Sequence, residues 1–453
     1  MFSIDKVDVC YRNYEEFVIV YNLRNKEIIK LENVAADIWM ALSKYEEIDI
    51  DLIIKQILDI YDCNQEDIEE DIKQFVEELY DMGYVKLNGA YKKNEEKELK
   101  ESKSNIDDFE SKIIQDVKEK GVLYSVTFEM TYACNEKCIH CYANYPTDSN
   151  KSVVITNEQY KKVIDELYEM NCMHIAFTGG DPFMYKEFEE IFTYAREKGF
   201  VCDIYTNGVF LAENQDVLYH IIRLRPRAFY ISLYGSKAEL HDGITTVNGS
   251  FDKTITTISK LTEAGISVVL NVMLLSVNYG DLDEIINIAK MLNAEYRVGM
   301  SLIYKNDGDS SPMNYFIEDK NKIKSVLKRI RENVYSIDRA MGEERETDSL
   351  CGAGATSLAI SPDGTIYPCI SMKIPLGNIL EENVGDVWNG ERRRKLVESL
   401  TWNNTEDCKN CSSKKNCPHC PAISLAESGN LFLCNTCDKT IAECARELEV
   451  ADE

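Results

Sequence analysis

Three cysteines lie within eight consecutive residues of this chain, in the order Cys134-Asn-Glu-Lys-Cys138-Ile-His-Cys141, directly after a short apolar segment. Cysteine thiolates are the usual protein ligands of iron–sulfur clusters. A cubane cluster has four irons, whereas this loop supplies three sulfur ligands, so one iron is left for a ligand that is not protein. A small molecule with an amine and a carboxylate could chelate the metal there.

A zinc site is the alternative interpretation of the same loop, with His140 or a distant cysteine as the fourth ligand. Structural zinc sites usually show two pairs of ligands that are far apart in the sequence, such as one CxxC followed by another. The loop at 134–141 has a single group of ligands. The sequence therefore favours the iron–sulfur cluster.

The C-terminal part of the chain contains a second group of cysteines. In chain order they are Cys351, Cys369, Cys408, Cys411, Cys417, Cys420, Cys434 and Cys437. The CxxC steps at 408–411 and 417–420 are also typical of a zinc knuckle, which stays an alternative on spacing alone. The remaining cysteines fit no ligand spacing, and we expect them to be buried small apolar residues: Cys10, Cys63, Cys172, Cys202 and Cys444.

The composition is that of a globular protein with two or three domains, since 44% of the 453 residues are hydrophobic and 28% are charged. A net charge of −27 argues against nucleic acid or an anionic membrane as the main partner. The longest apolar segment, 266–275, is far shorter than a membrane span. The opening MFSIDKVDVC carries two acidic residues and lacks the pattern of a secretion signal. Sixteen cysteines without that signal predict metal ligation in a reducing cytoplasm.

The elements that must position the cysteine loop are predicted by the alternation of strand-like and helix-like segments from Leu123 onwards. The predicted strands are 123–129, 174–177, 202–205, 229–233, 267–274 and 296–303. A helix is predicted over 157–170, with Thr156 and Gln159 forming a capping box at its start. Six such units make an α/β fold, a partial (β/α)6 barrel similar to a TIM barrel. Ligands bind at the carboxyl ends of the strands in such folds, and the cysteine loop follows the first strand.

Glycine-rich and polar turns follow three further strands at the same end of the predicted sheet. The second strand ends in TGGDP at 178–182, where glycines let the backbone approach a ligand and a carboxylate can bind a cationic amine. The third ends in TNG at 206–208, and the fourth in ISLYG at 231–235. Each of these turns is common in proteins and by itself indicates only the end of a strand. Their occurrence after successive strands indicates a ligand site.

The CxxxCxxC loop followed by these turns resembles the radical S-adenosylmethionine (SAM) enzymes. The resemblance implies a [4Fe–4S] cluster on Cys134, Cys138 and Cys141 that chelates SAM, and TGGDP resembles the family's GGEP motif with Asp in place of Glu. Many relatives have an arginine a few residues after His241-Asp242, where this chain has Thr245 and Thr246. No catalytic residue is implied. The implied SAM contacts, with Arg297 as a substitute for that arginine, are His140, Gly179, Gly180, Asp181, Thr206, Asn207, Ser232 and Arg297.

The C-terminal cysteines resemble a SPASM domain, which holds two auxiliary [4Fe–4S] clusters. The implied ligands are Cys408, Cys411, Cys417 and Cys437 for auxiliary II, with Cys434 as the alternative to Cys437, and Cys351, Cys369 and Cys420 for auxiliary I. Cys437 is preferred because a predicted closing helix follows it. The last CxxC step is one residue shorter than in the usual pattern. No cysteine lies between the first two ligands of auxiliary I, which implies an open iron for a substrate thiolate there.

Residues 1–87 have the pattern of a small winged-helix-like domain, with two β-rich segments around a turn at 24–26 and then several helices. The predicted apolar stripes of the later helices are Ile53, Ile57 and Ile60, and Ile68, Ile72, Phe75, Val76 and Leu79. With 9 Lys and Arg against 21 Asp and Glu, this segment would repel phosphates. A strand edge in such a domain can bind an extended peptide. The segment resembles the peptide-recognition element of ribosomal-peptide maturases, similar to the chaperone of pyrroloquinoline-quinone biosynthesis.

These patterns divide the chain into a peptide-recognition domain (1–90), a charged linker (91–120), a radical SAM barrel (121–340) and a SPASM domain (341–453). The resemblance implies SAM, three [4Fe–4S] clusters, a precursor peptide whose leader binds the first domain, and an electron donor such as flavodoxin or ferredoxin. We predict a cytoplasmic enzyme that forms thioether cross-links of sactipeptide or ranthipeptide type. The alternatives are carbon–carbon linkage, epimerisation or side-chain oxidation by the same radical, and a non-catalytic metal-binding peptide scaffold.

Overall fold

The computed structural model describes residues 1–61, 65–92, 112–143, 155–333 and 349–452. Cys63 and most of the predicted linker, residues 93–111, lie outside the described residues. In the described ranges, no helix combines the length and the apolar character that crossing a membrane requires.

The N-terminal domain has an antiparallel sheet of three strands between two apolar layers. Its strands are β1 (Phe2–Ser3), β2 (Val9–Asn13), β3 (Phe17–Asn22), β4 (Glu27–Glu32) and β5 (Lys86–Leu87), of which β1 and β5 pair separately. Its helices are α1 (Val34–Ser43), α2 (Ile50–Leu58) and α3 (Gln65–Asp81). Along the central strand β3, Val18 and Val20 pack with the helices, whereas Phe17, Ile19 and Tyr21 pack on the opposite face. Burial of both faces explains why this strand is continuously apolar.

The predicted apolar stripes of these helices are confirmed with one exception. Ile53, Ile57 and Ile72 are fully buried in one core with the helix-facing side of the sheet. Ile60 is wrong as a core residue, because α2 ends at Leu58 and the Ile60 side chain is 60% exposed.

The central domain is built on six parallel strands in the spatial order β11-β10-β9-β8-β7-β6. Their bounds are β6 (Ser125–Glu129), β7 (His174–Thr178), β8 (Val201–Thr206), β9 (Ala228–Ser232), β10 (Ser267–Met273) and β11 (Glu295–Gly299). All six predicted strands are confirmed to within a few residues. Since β11 pairs only with β10 among the described strands, the sheet is an open, partial barrel.

Helices cover the outer face of this sheet. They are α5 (Asn157–Glu169), α6 (Phe188–Glu197), α7 (Val209–Glu213), α8 (Gln215–Arg223), α9 (Ala238–Thr245), α10 (Ser250–Glu263), α11 (Leu282–Met291) and α12 (Lys320–Asn333). The predicted capping box of α5 is confirmed, because the Thr156 and Gln159 side chains bond each other's backbone N–H. Fully buried strand residues such as Phe177, Phe229 and Leu270 share one core with these helices. Successive strand side chains point to opposite faces, which leaves the other face for a site.

The C-terminal domain continues the same sheet, which the sequence did not predict. Its strands are β12 (Ser357–Ile360), β13 (Thr365–Tyr367) and β14 (Gly377–Asn378), and β12 pairs in parallel with β6 to give a sheet of nine strands. Its helices are α13 (Val384–Asn389), α14 (Glu391–Ser399), α15 (Glu406–Lys409), α16 (Pro421–Ser428) and α17 (Thr436–Asp452). The cysteine-rich domain is therefore attached to the first barrel strand, the strand that precedes the cysteine loop.

The N-terminal domain is docked at the amino ends of the barrel strands, together with helix α4 (112–119). The Arg12 guanidinium donates to the carbonyl of Cys172, just before β7, at 2.8 Å. The Arg196 guanidinium of α6 donates to the carbonyl of Val7 at 2.7 Å. Lys30 of β4 pairs with Asp116 of α4 at 2.7 Å. These contacts place the N-terminal domain at the end of the barrel opposite to the cysteine loop.

Candidate functional site

The loop with Cys134, Cys138 and Cys141 lies at the carboxyl end of β6, where the sequence predicted it. Its backbone is held by the last turn of α9. The N–H groups of Lys137 and Ile139 donate to the carbonyls of Thr245 and Ile244, both at 3.0 Å. The loop thus satisfies carbonyls that a helix leaves unpaired at its C-terminus.

The three thiols of this loop are neighbours. Burial raises the pKa of Cys138 well above its ordinary value, and the charges of Glu136, Cys141 and Cys134 add to the rise. Thiols that disfavour each other's ionisation become thiolates when a metal supplies compensating charge, because a metal deprotonates a coordinating thiol. The chemistry of this donor set fits the predicted cluster.

The paired glycines of the second strand end allow a close approach between two backbones. A Cβ atom on Gly180 would lie 2.1 Å from the carbonyl oxygen of Ala133, and one on Gly179 would lie 2.6 Å from that of Thr131. The Gly180 N–H donates to the Thr131 carbonyl at 2.8 Å. We expected the glycines to make room for a ligand. In the structure the close neighbour of both is the backbone of the segment that leads from β6 into the cysteine loop.

Asp181 links the ends of the second and third strands. Its carboxylate is fully buried and accepts from the Phe183 N–H at 3.0 Å, the Thr206 hydroxyl at 2.6 Å and the Asn207 N–H at 3.0 Å. The Asn207 amide in turn donates to the side-chain oxygen of Asn135 in the cysteine loop at 2.6 Å. The expected contact between this carboxylate and a ligand amine is not favoured, because protein donors already surround its oxygens. Asp181 instead positions Thr206 and Asn207 beside the loop.

His140 and Ser232 are brought together through Tyr234. The His140 ring contacts the Tyr234 ring edge to face at 4.6 Å between centroids, and the Tyr234 hydroxyl bonds to the Ser232 side chain. Burial lowers the pKa of His140 to about 4, so the imidazole is neutral at physiological pH. His140 Nδ1 is buried without a hydrogen-bond partner among the described residues. This nitrogen is available to a bound molecule.

Ser232, Asn271 and Arg297 form a polar row across β9, β10 and β11. The strand register places Asn271 opposite Ser232 on one side and opposite Arg297 on the other. The Arg297 guanidinium lies over the Tyr230 ring at 4.7 Å. Sequence analysis missed Asn271. The available signal was a polar residue at an inward position of an otherwise apolar strand, level with Ser232.

Thr245 and Thr246, which stand where many relatives have an arginine, have structural roles of their own. The Thr245 hydroxyl is buried and bonds with Ser250 at 2.7 Å. The Thr246 hydroxyl donates to the carbonyl of Lys137 in the cysteine loop at 3.1 Å. Both threonines therefore stabilise the loop and the following turn.

An ion pair with a buried carboxylate joins the barrel to the C-terminal domain beside the cysteine loop, and sequence analysis missed it. Lys373 donates to the Glu129 carboxylate at 2.8 Å, and Glu129 is almost completely buried at the end of β6. Tyr142 lies next to this pair. Burial, and then the charges of Glu129, Cys141 and Cys369, raise the pKa of Tyr142. Tyr142 thus lies between a cysteine of the loop and a cysteine of the C-terminal domain.

The predicted ligands of auxiliary I are brought together. Cys351, Cys369 and Cys420 pack in one apolar cluster. Cys351 and Cys420 line a cavity of about 490 Å³, and the charge of Cys369 contributes to raising the pKa of Cys420, after burial as the main cause. The cavity and its thiols fit a cluster at this position.

A buried carboxylate positions one of these cysteines. Asp438 accepts from the Cys420 N–H at 2.7 Å, from the Ser301 hydroxyl at 2.7 Å and from the Asn435 amide at 2.7 Å. Ser301 follows the last barrel strand. Asp438 therefore fixes the auxiliary I region to the barrel. Sequence analysis missed this residue, whose only signal was its place next to Cys437.

Cys437 and Cys434, the two candidates for the last ligand of auxiliary II, lie in different surroundings. Burial raises the pKa of Cys434 to about 11, and the charges of Cys408 and Cys411 add to the rise. The charges of Cys434 and Cys408 likewise contribute to the raised pKa of Cys417, about 12, of which burial is the main cause. Cys437 is fully buried in the core shared with the barrel. The neighbour of the other three thiols is therefore Cys434, because α17 directs Cys437 inwards.

The remaining cysteines behave as expected where they are described. Cys10, Cys172, Cys202 and Cys444 are at most 1% exposed. Within the described ranges, no group of three or more His, Cys, Asp or Glu side chains is arranged to bind one metal ion.

Three family matches cover successive parts of the chain. Residues 18–85 match the coenzyme PQQ synthesis protein D (PqqD) family. Residues 128–289 match the radical SAM superfamily, and residues 351–412 match the SPASM iron–sulfur cluster-binding domain. The matches fall on the N-terminal domain, the barrel with its cysteine loop, and the domain with the second group of cysteines.

Two relatives and one solved structure illustrate the similarity. The antilisterial bacteriocin subtilosin biosynthesis protein AlbA of Bacillus subtilis is 26% identical over 303 residues, which span 64% of this chain and 64% of AlbA. An AdoMet-dependent heme synthase of Methanosarcina barkeri is 25% identical over 330 residues, 67% of this chain and 93% of that protein. The crystal structure of Streptococcus suis SuiB bound to precursor peptide SuiA has the same fold, with a TM-score of 0.62 and 15% identity over 97% of this chain and 100% of SuiB.

Proposed function

We propose that this chain, a member of the radical SAM superfamily with PqqD and SPASM domains, is a maturase that forms thioether cross-links in a ribosomally made precursor peptide. The observation that carries the proposal is that two groups of three thiols lie at the same end of the barrel. Cys134, Cys138 and Cys141 form the first, and Cys351, Cys369 and Cys420 form the second. Tyr142 and the Glu129–Lys373 pair lie between the two groups.

The cysteine loop and the strand ends would hold a [4Fe–4S] cluster and SAM, which together supply a 5′-deoxyadenosyl radical when bound. The neutral His140 ring and the polar row of Ser232, Asn271 and Arg297 are suited to orient SAM. Gly179 and Gly180 would contact SAM through their backbone atoms. Asp181 positions Thr206 and Asn207. The chain's own contribution is binding, orientation and exclusion of water.

The second group of thiols supports the choice of a thioether. Three cysteines at auxiliary I leave one position of a [4Fe–4S] cluster for a cysteine thiolate of the peptide. The bond balances when a carbon loses one hydrogen atom to the radical, the thiol loses one proton, and one electron passes to an auxiliary cluster. Each link therefore makes the peptide two hydrogens lighter.

The auxiliary II ligands that the contacts support are Cys408, Cys411, Cys417 and Cys434. With four protein ligands that cluster has no open iron, which suits electron transfer rather than substrate binding. The three clusters in this proposal thus differ in what they leave open: SAM binds the first, a peptide thiolate binds the second, and the third is closed.

The N-terminal domain is proposed to bind the leader of the precursor. SuiB, whose fold this chain shares, was solved with a precursor peptide. Strand β4 pairs only with β3 among the described strands, so its other edge can accept an extended segment. Because this domain lies at the opposite end of the barrel from the cysteine loop, the peptide needs a connecting segment between its leader and its modified residues.

The test is incubation of reconstituted, reduced enzyme with SAM and its precursor, followed by mass spectrometry. A loss of two hydrogens per link together with loss of thiols that iodoacetamide can alkylate supports the proposal. An unchanged mass contradicts it. The same mass loss with all thiols still alkylated identifies a carbon–carbon link or a side-chain oxidation instead, and an unchanged mass with an inverted residue identifies an epimerase.

A further inference from the structure

The auxiliary II region lies at the surface of the molecule. Cys411 is exposed and Cys434 is half-buried, whereas Cys408 and Cys417 are buried beneath them. A cluster on these four thiols would have its outer sulfurs at the surface. A redox centre in another protein can come close to a cluster at the surface, so this face is suited to electron exchange with a partner.

Positively charged side chains surround the exposed cysteine. Residues 408–420 contain three lysines, Lys409, Lys414 and Lys415, and no Asp or Glu. Lys414 lies between Cys411 and Cys417 in the chain, with its ammonium group over the Trp402 ring at 5.1 Å, and Lys439 lies in the first turn of α17, which follows Cys434. We name Lys409, Lys414, Lys415 and Lys439 the auxiliary lysine surface.

Three of the four lysines of this surface are free to meet a partner. Lys409, Lys415 and Lys439 are exposed and have no ion pair in the described part of the chain. Two acidic residues of α17 are paired with lysines of α12, Glu443 with Lys320 at 2.8 Å and Glu447 with Lys324 at 2.6 Å. The acidic neighbours on the lysine side are Glu406 and Asp407 of α15 and Glu427, whose carboxylate accepts from the Thr436 N–H at 3.0 Å at the start of α17.

The charge of this surface contrasts with that of the whole molecule. The chain has a net charge of −27, so most of its surface repels an acidic protein. A local basic patch on an acidic molecule directs an acidic partner to that patch, because the surrounding field disfavours other orientations.

We propose that the auxiliary lysine surface docks a small acidic electron-carrier protein beside auxiliary II. The inference rests on the proposed function, which leaves one electron on the auxiliary clusters for every thioether formed. The oxidised carrier accepts that electron at the exposed edge near Cys411 and becomes reduced by one electron. No bond to the peptide is made or broken in this step, and no other oxidant is needed.

The experiment uses the reconstituted full-length enzyme and an acidic [4Fe–4S] ferredoxin as the probe. The double variant Lys415→Glu/Lys439→Glu reverses two exposed charges of the surface. Association with the ferredoxin is measured by stopped flow and by titration calorimetry. The expected result is an association rate lower by about tenfold or more, and a similar loss in affinity. Raising the salt concentration from about 0.05 to about 0.5 M should weaken binding to the wild-type enzyme and remove most of the difference.

The matched control is Arg392→Glu/Arg394→Glu. It makes the same change in charge at two exposed residues of α14, in the same domain but without an exposed cysteine beside them. This control should bind the ferredoxin more tightly than the lysine variant by about the same tenfold. Equal binding by both variants, or stronger loss in the arginine variant, would overturn the docking site.

Two further measurements keep the result interpretable. Iron content and the visible spectrum of each variant show whether auxiliary II is intact, and the Lys415→Arg/Lys439→Arg variant should restore binding if folding is preserved and charge is what matters. Cross-linking of the precursor with dithionite as the reductant tests the proposed function without any carrier. Normal product with dithionite and unchanged ferredoxin binding would refute the docking site alone.

Discussion

The two cysteine regions of this molecule are positioned in different ways. The loop at 134–141 comes from one short segment and is held by backbone contacts, to the glycines after β7 and to the carbonyls that end α9. The C-terminal cysteines come from several segments and are held by side chains, above all by Asp438, which joins the Cys420 backbone to Ser301 of the barrel. The first region depends on local geometry and the second on long-range packing.

This difference decides how far each region can be altered. Where two backbones are in direct contact there is no room for an added methyl group, so a single one should displace the cysteine loop. A region assembled from distant segments should tolerate changes at residues that only fill its core, yet lose a cluster when a ligand is removed. The following predictions test this contrast, beginning with the largest expected effect.

Gly180→Ala should destroy the first region and spare the second. The added Cβ would lie 2.1 Å from the Ala133 carbonyl oxygen, so the cysteine loop must move. We expect SAM cleavage to fall by about a hundredfold or more, since misplacement by about 1 Å has that effect on a reactive geometry. The measurement is 5′-deoxyadenosine formation by chromatography, with iron content as a second readout.

Gly243→Ala is the matched control for this prediction. Gly243 lies in α9, which supports the same loop, and its Cβ would meet nothing within 4 Å. This variant should cleave SAM at nearly the wild-type rate. Equal loss in both variants would show that the loop is sensitive to any change around it, and the contrast drawn from Gly180 would be wrong.

Cys434→Ala and Cys437→Ala should separate a ligand from a core residue in the second region. Removing Cys434 is expected to cost about four irons per chain and to abolish cross-linking, while SAM cleavage persists. Removing Cys437 should keep the iron and lower the free energy of unfolding by about 1–2 kcal/mol, because it deletes a fully buried sulfur. Iron assay and thermal unfolding distinguish the two. Loss of iron only in Cys437→Ala would restore the interpretation based on the sequence.

The outcome at Cys434 and Cys437 also shows where prediction from sequence ends. The barrel strands, the capping box of α5 and the position of the loop follow from local patterns, and all are found in the structure. The choice between two cysteines three residues apart depends on where α17 begins, because Cys437 lies inside the helix and is buried whereas Cys434 precedes it, and spacing carries no information on that. Pairs that are distant in the sequence, such as Glu129 with Lys373 and β6 with β12, likewise cannot be predicted from the order of residues.

The carboxylate of the GGDP motif illustrates the same limit at the level of one side chain. Its spacing after β7 is correct for a site residue. Its three hydrogen bonds nevertheless run to Phe183, Thr206 and Asn207, because β8 ends beside it in the sheet. The motif locates the site, whereas the pairing of neighbouring strands decides what the carboxylate contacts.

The last prediction concerns pH and His241, which supports the first region from α9, and its effect is limited to stability. Its Nδ1 accepts from the Tyr234 N–H at 3.1 Å, and burial lowers its pKa from 6.5 to about 4. The unfolded chain therefore binds a proton at this histidine at a higher pH than the folded chain does. The folded state loses stability as the pH falls from about 6.5 towards about 4, and by the lower end this residue accounts for about 1–3 kcal/mol.

His241→Asn keeps an acceptor near the position of Nδ1 but does not titrate, so its free energy of unfolding should fall less steeply over that range. Urea unfolding at about pH 7 and about pH 5 measures the two slopes, which are independent of any constant loss from the smaller side chain. Parallel slopes for the variant and the wild type would show that His241 takes up its proton without unfolding, and that the support of Tyr234 by α9 is looser than the buried contact indicates.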